Sequence, residues 1–172
     1  YRSSRGLGDV YKRQAKIGWE HVIPAIQKSK NSKVLGLASR DLKKAKSLCK
    51  KLKISKSYGS YEELYQDPDI DIIYNPLPNH LHIRTSLKAA SYGKHILLEK
   101  PLSLKAKDID PLIKSAKKNK VIIKEAFMVR HHPQWKWIKK FIKNGNIGSI
   151  SNISTVFSYS NKAVSYTHLT LP

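Results

Sequence analysis

The sequence is short of cysteine, of long apolar runs and of acidic residues, and each shortage narrows the kind of protein it can encode. Cys49 is the single cysteine among 172 residues. Because one cysteine cannot form an internal disulfide, a reducing, cytoplasmic setting is favoured. No apolar run approaches the roughly 20 residues that a transmembrane helix needs, so no membrane partner is expected. The hydrophobic fraction of 40% is still enough for the packed core of a domain.

The shortage of acidic residues leaves a net charge of +21, from 33 basic and 12 acidic residues. Such an excess can indicate a nucleic-acid-binding protein. Lysine supplies 27 of the 33, however, and the lysines are spread along the chain, mostly on the polar faces of predicted helices. Proteins that read base edges favour arginine, and single-strand binders place aromatic residues among the charges. We therefore predict no specific nucleic-acid partner, although nonspecific binding to polyanions at low salt is expected.

The two ends of the chain differ in composition from its interior. Residues 1–14 contain three of the six arginines and only one lysine, the reverse of the interior. Residues 1–14 and 163–172 both resemble translated sequencing-adapter sequence, and we expect them to be artefacts of this kind. The alternative is an ordinary polar tail and a final strand. On the first interpretation the native piece is a fragment of a longer protein, and both ends are excluded from fold reasoning.

Apolar runs and amphipathic stretches alternate through the interior. Strands are predicted at 33–39, 69–78, 94–99 and 121–127, and helices between them at 41–52, 79–93 and 105–120. Strands that are apolar throughout are buried on both faces, and their alternation with helices is typical of a doubly wound parallel sheet. We predict an α/β, Rossmann-type dinucleotide-binding domain over 15–125 that lacks its first strand.

The pattern changes after Phe127. An amphipathic helix is predicted over 131–145, and a strand with one solvated face over 149–160. We interpret residues 126–162 as the start of a second, α+β domain for substrate binding or oligomerisation.

Unusual residues lie at the ends of three of the predicted strands. Ser39 and Arg40 lie at the end of the first, Leu77, Pro78 and Asn79 at the end of the second, and Glu99-Lys100-Pro101 at the end of the third. In open parallel sheets, ligands bind beyond the carboxyl ends of the strands. The sequence therefore predicts a line of site residues along one edge of the sheet.

The first strand end indicates which dinucleotide is bound. Ala15 and Gly18 stand three apart, where the last two small residues of a Gly-x-Gly-x-x-Gly turn would fall. Arg40 lies 22 residues beyond Gly18, where NAD-dependent proteins usually carry an acid and an arginine accommodates the 2′-phosphate of NADP. Ser39 adds a hydroxyl donor. We predict NADP rather than NAD; the alternative is a surface arginine beside Asp41, a predicted helix N-cap.

Several motifs together resemble a known family. In chain order they are VIPAI, ASRD, YGSYEEL, NPLPNHLH, GKHILLEKPLS and EAFMVRHHPQW. The interior resembles the glucose–fructose oxidoreductase / inositol dehydrogenase family of nicotinamide-dependent enzymes. EAFMVRHHP makes it look most like the dihydrodiol and NADP-dependent xylose dehydrogenase branch. The resemblance implies hydride transfer between nicotinamide and a carbinol of a sugar or cyclic diol, by a complete protein that is a homo-oligomer. The fragment itself is expected to be inactive.

The resemblance also assigns roles to single residues. Lys100 is implied to be the catalytic lysine, beside both nicotinamide and substrate, where partial desolvation would favour loss of its proton. The cofactor-binding residues it implies, together with those from the strand ends, are Ala15, Gly18, Ser39, Arg40, Leu77, Pro78, Asn79, His82, Glu99 and Lys100. Arg130 and His131 are implied to contact substrate along with Lys100. The family's second catalytic residue, a Tyr or His, would lie beyond residue 162.

Other interpretations stay open. Glu99 and Lys100 could be a solvated ion pair after a strand, which would contribute little. His80 and His82 lack a cysteine or carboxylate partner, so no metal site is predicted. A non-catalytic relative that senses a dinucleotide or a sugar is the alternative to an enzyme.

Overall fold

The structure is a computed structural model that describes residues 4–7 and 17–158. Its strands are β1 Ser4–Leu7, β2 Ser32–Ala38, β3 Lys56–Tyr58, β4 Ile72–Asn75, β5 His95–Leu98 and β6 Ile123–Glu125. Its α-helices are α1 Ile23–Lys28, α2 Leu42–Leu52, α3 Tyr61–Gln66, α4 His82–Ser91, α5 Ile109–Lys118 and α6 Pro133–Lys143. A π-helical turn, Gly18–Val22, leads into α1, and short 3-10 turns precede α4, α5 and α6.

The strands form two parallel three-stranded sheets, in the orders β1-β2-β3 and β4-β5-β6. β1 lies beside β4, so the strands run in the spatial order 3-2-1-4-5-6 of a Rossmann fold. The predicted fold class is confirmed.

One detail of that prediction is corrected. The sheet was predicted to lack its first strand, but Ser4–Leu7 pairs with β2 in that position. These residues lie in the stretch predicted to be foreign, 1–14. Ladder hydrogen bonds are made by the backbone, which carries a donor and an acceptor whatever the side chains, so the composition of this stretch does not prevent pairing.

Apolar clusters cover both faces of the sheets. On one face Ile73, Ile96 and Leu98 pack with residues of α3, α4 and α5. On the other, Val34 and Leu37 pack with residues of α1 and α2. Burial on both faces explains why the strands read as continuous apolar runs.

Local hydrogen bonds fix where the helices begin. The Asp41 carboxylate accepts a hydrogen bond from the Lys44 amide at 3.2 Å, which confirms the predicted N-cap of α2. The helix predicted from residue 79 begins instead at His82, because Asn79 opens a 3-10 turn, Asn79–Leu81, ahead of α4. Gly93, with φ of +72°, follows α4, in a conformation that favours glycine.

The chain divides into two compact units between Met128 and Val129. The second unit contains α6, in which Trp137 stacks on Phe141 at 4.8 Å between ring centroids. The strand predicted over 149–160 is wrong for the described part, because residues 151–158 have no regular secondary structure. A half-solvated strand needs a neighbour, and none pairs with this stretch among the described residues. Within residues 4–7 and 17–158, no helix is long and apolar enough to span a membrane.

Candidate active site

The candidate site lies at the carboxyl ends of β2, β4 and β5, within the first unit. The hydrogen bonding between neighbouring strands continues for one residue beyond the ends of β2 and β5. Ser39 N–H donates to the Tyr58 carbonyl at 3.1 Å, and Glu99 N–H donates to the Asn75 carbonyl at 3.1 Å. The loops after these strands are therefore anchored at their first residues. Three of the predicted groups of site residues come to the same edge of the fold.

Residues 99–103, which we call the Lys100 loop, are held from two strands. Tyr74 at the end of β4 donates its hydroxyl to the Glu99 carboxylate at 2.6 Å. Glu125 at the end of β6 accepts the Leu102 amide at 2.8 Å. The peptide bond between Lys100 and Pro101 is cis. The two hydrogen bonds hold the residues on either side of Lys100, whose own side chain is exposed at the edge of the sheet.

The donor of the hydrogen bond to Glu99, Tyr74, lies in the apolar interior. Tyr74 is only 2% exposed, and its ring lies in the apolar cluster shared with α1 and α2. Burial raises the pKa of the Tyr74 hydroxyl, and the bond to Glu99 raises it further. Tyr74 therefore stays protonated and remains a hydrogen-bond donor throughout the neutral pH range.

Residues 76–81, which we call the Leu77 turn, follow β4. The Asn75 side chain accepts the Leu77 amide at 3.2 Å and donates to Thr85 and Ser86 of α4, at 2.8 and 3.2 Å. Asn75 thereby fastens the turn to the helix behind it. Leu77 is buried, whereas Pro78 and Asn79 are half-buried.

His82 lies beneath the Leu77 turn and is 0% exposed. Its Nε2 is 2.7 Å from the Leu77 carbonyl oxygen, and its Nδ1 is 2.8 Å from the Pro101 carbonyl oxygen. The imidazole therefore touches both the Leu77 turn and the Lys100 loop. Its predicted contact with a cofactor stays a prediction.

Arg40 follows β2 and opens onto a broad groove of about 1180 Å³. Ser60, His80, Leu81, Arg84 and Lys88 are among the other residues that line this groove. The side chain of Ser39 is buried, and its hydroxyl accepts the Asp41 amide at 3.1 Å. Pockets that bind cofactors usually have volumes of about 300–1,000 Å³, so the groove is large enough for the adenosine part of a dinucleotide.

Gly18 is buried close to the end of β4. A Cβ atom there would lie 3.4 Å from the Tyr74 ring and 3.6 Å from the Pro76 ring. Its position suits the last glycine of a dinucleotide turn, whose role is close packing between helix and strand. Ala15, the other predicted residue of this turn, lies outside the described residues.

Arg130 and His131 lie in the 3-10 turn Met128–His131, at the start of the second unit. Arg130 and His131 are both exposed. Their predicted contact with substrate stays a prediction. In the described ranges, no group of three or more histidine, cysteine, aspartate or glutamate side chains could hold a metal ion.

Sequence reasoning missed Tyr74, Asn75 and Glu125, the side chains that hold the two loops. Each is the last or next-to-last residue of its strand. A polar residue at the end of an apolar run is the only signal that could have found them.

The strand order and the anchored loops at its carboxyl edge define a dinucleotide-binding class of α/β domain. The chain belongs to the family described as "Oxidoreductase family, NAD-binding Rossmann fold" (GFO_IDH_MocA), whose profile matches residues 15–127. The family resemblance drawn from the motifs is thus confirmed.

Individual relatives are named as dehydrogenases and reductases, in agreement with the family match. Trans-1,2-dihydrobenzene-1,2-diol dehydrogenase of Xenopus tropicalis is 38% identical over 78% of this chain and 40% of its own length. D-xylose 1-dehydrogenase (NADP(+)) 2 of Haloferax volcanii is 36% identical over 84% of this chain and 44% of its own. The crystal structure of KijD10, a 3-ketoreductase from Actinomadura kijaniata in complex with NADP and TDP-benzene, matches with a TM-score of 0.77 at 29% identity, over 85% of this chain and 44% of that one. The chain spans less than half the length of these relatives.

Proposed function

We propose that this chain is the cofactor-binding part of an NADP-dependent oxidoreductase that acts on a carbinol of a sugar or cyclic diol. The observation that carries the proposal is the Lys100 loop. The loop is held from β4 by the bond between Tyr74 and the Glu99 side chain and from β6 by the bond between Glu125 and the Leu102 amide, while the Lys100 side chain stays exposed at the carboxyl edge where Rossmann domains bind dinucleotides.

The residues present fit NADP. Arg40 is exposed on the groove wall and can offer its fork of donors to a 2′-phosphate. The Ser39 hydroxyl already accepts the Asp41 amide, so its proton is available to a second acceptor. Leu77, Pro78, Asn79 and Gly18 would line the rest of the cofactor's path. Two relatives have NADP in their names or crystals, which supports this choice over NAD.

Lys100 would act on the proton of the substrate hydroxyl. Bound NADP would supply the site's capacity to accept or donate a hydride. The Lys100 ammonium can donate a hydrogen bond to the carbinol oxygen and, once deprotonated, can take the hydroxyl proton. Glu99, held by Tyr74, would keep the loop in place. Arg130 and His131 would contact substrate from the second unit, which we propose begins the substrate-binding or oligomerisation domain of a homo-oligomer.

The substitution Lys100→Met tests this role, because it removes the ammonium and keeps most of the side-chain length. NADPH affinity should change little, since phosphate and ribose contacts lie elsewhere. In the full-length protein of which this chain is a part, single-turnover hydride transfer with a panel of aldoses and cyclic diols should slow by roughly 10²–10⁴. Lys105→Met, at an exposed lysine just past the same loop, is the control and should transfer hydride at the parent rate.

Two results in the full-length protein would contradict the catalytic role: transfer by Lys100→Met at the parent rate, or no transfer by the unsubstituted protein with any substrate of the panel. NADPH binding without transfer would instead favour the alternative, a relative that senses a dinucleotide.

A further inference from the structure

The position of His82 is the feature that the proposed function leaves without a purpose. It is fully buried, yet both ring nitrogens lie within hydrogen-bond distance of backbone carbonyl oxygens, Leu77 O at 2.7 Å and Pro101 O at 2.8 Å. Leu77 belongs to the turn after β4, and Pro101 follows Lys100 directly. The two carbonyls are 24 residues apart in the chain, and the imidazole spans the gap between them.

Both contacts are with carbonyl oxygens, which are hydrogen-bond acceptors, so the ring can bond to them only as a donor. A neutral imidazole has one N–H and can donate to one of the two carbonyls, whereas the imidazolium donates to both. A buried carbonyl that loses its donor costs free energy, so the ring cannot be replaced by an apolar one without loosening at least one loop. The ring therefore acts as a hydrogen-bond donor as well as filling space.

We propose that His82 is a positioning residue that couples the Leu77 turn to the Lys100 loop. The Leu77 turn is where the cofactor is proposed to lie, and the Lys100 loop carries the proposed catalytic lysine. A buried ring in contact with both transmits a shift in the first to the second. The catalytic consequence rests on the proposed function, but the coupling itself does not.

Other bonds hold each loop separately, so the coupling can be observed. The Leu77 amide bonds to the Asn75 side chain, and the Leu102 amide bonds to the Glu125 side chain. Neither bond involves His82. Exchange of these two amides with solvent therefore reports how firmly each loop is held, independently of the atoms that a substitution at His82 removes.

A matched control exists at the opposite ends of the same strands. Lys94 is also buried, at 7% exposed, and its ammonium donates to two backbone carbonyls, Asp67 O and Ile70 O, at 2.7 Å each. Lys94→Met thus removes a buried polar group that contacts two backbone carbonyls, as His82→Phe does. It does so before β5 rather than after it, away from both loops.

The experiment is hydrogen exchange of the whole chain without cofactor, followed by amide NMR. His82→Phe should speed exchange of the Leu77 and Leu102 amides together, by roughly tenfold, the size expected for one lost buried bond. Lys94→Met should leave both within about twofold of the parent once overall stability is matched with denaturant. His82→Gln, which keeps N–H donors at one end of its side chain, should loosen one loop more than the other and serves if His82→Phe does not fold.

NADPH provides the second arm. In the parent, cofactor should slow exchange at both amides; in His82→Phe it should slow Leu77 and leave Leu102 unprotected. The inference is overturned if His82→Phe speeds neither amide or only one, or if Lys94→Met speeds both equally. Absence of NADPH binding would count against the proposed function alone, since the cofactor-free arm still decides the coupling.

Discussion

The bond between Tyr74 and Glu99 allows a quantitative prediction. Tyr74→Phe removes one hydroxyl from a residue that is 2% exposed and leaves the packing of its ring unchanged. The lost bond, 2.6 Å long, is made to a carboxylate, and bonds to charged groups contribute roughly 1.5–3 kcal/mol. Because Glu99 is half-exposed, water can replace part of the bond, and we expect a loss of about 1–2 kcal/mol.

Urea denaturation of the full chain measures this loss. With a slope of about 2 kcal/mol per molar urea, the midpoint should fall by roughly 0.5–1 M. Tyr92→Phe is the control, because Tyr92 makes ring contacts with Tyr65 and Lys88 but no hydroxyl hydrogen bond within the described residues. Its midpoint should barely move. A Tyr74→Phe midpoint that falls no further than that of Tyr92→Phe would refute the claim that Tyr74 anchors the Lys100 loop.

Two further predictions concern stability elsewhere in the first unit. Gly36→Ala should destabilise the chain by roughly 1–3 kcal/mol in the same urea assay, because the new Cβ would lie 2.5 Å from the Tyr58 ring; an unchanged midpoint would contradict this packing. Burial opposes ionisation of Asp67, but bonds from Lys56 and Tyr58, each 2.6 Å long, lower its pKa to about 2. Its contribution, up to about 2 kcal/mol, should be complete above about pH 4 and lost as pH falls towards 2, so Asp67→Asn should be less stable than the parent at pH 7 and should lose less on acidification. The same loss of stability between pH 4 and pH 2 in the two proteins would refute this.

Features set by neighbouring residues could be predicted from the sequence. The N-cap at Asp41 depends on the amide of Lys44, only three residues away. The buried strands can be recognised because their sequences are continuous apolar runs. The strand ends then point to the site edge through the general rule for parallel sheets. Arg40 and Lys100 were predicted as site residues in this way, and both are exposed at that edge.

Features that depend on distant partners could not be predicted. Tyr74 and Glu99 are 25 residues apart, and Leu102 and Glu125 are 23 apart. Nothing in the local pattern says that these side chains meet. His82 was predicted to lie by the cofactor, and no sequence signal indicates that two carbonyls enclose its ring. β1 was missed because residues 1–14 were excluded from fold reasoning on their composition, whereas the backbone can pair whatever the side chains are.

The central claim is that the first unit binds NADP through the loop after β2. The direct measurement is titration of the full chain with NADPH and with NADH, followed by nicotinamide fluorescence, for the parent, Arg40→Ala and Lys46→Ala. Lys46 is an exposed cation on α2 that does not line the groove, so its removal matches the change in net charge. We predict that the parent binds NADPH more tightly than NADH, that Arg40→Ala abolishes most of this preference, and that Lys46→Ala keeps it. Equal affinity of the parent for the two cofactors, or the same loss of preference in both variants, would contradict the account.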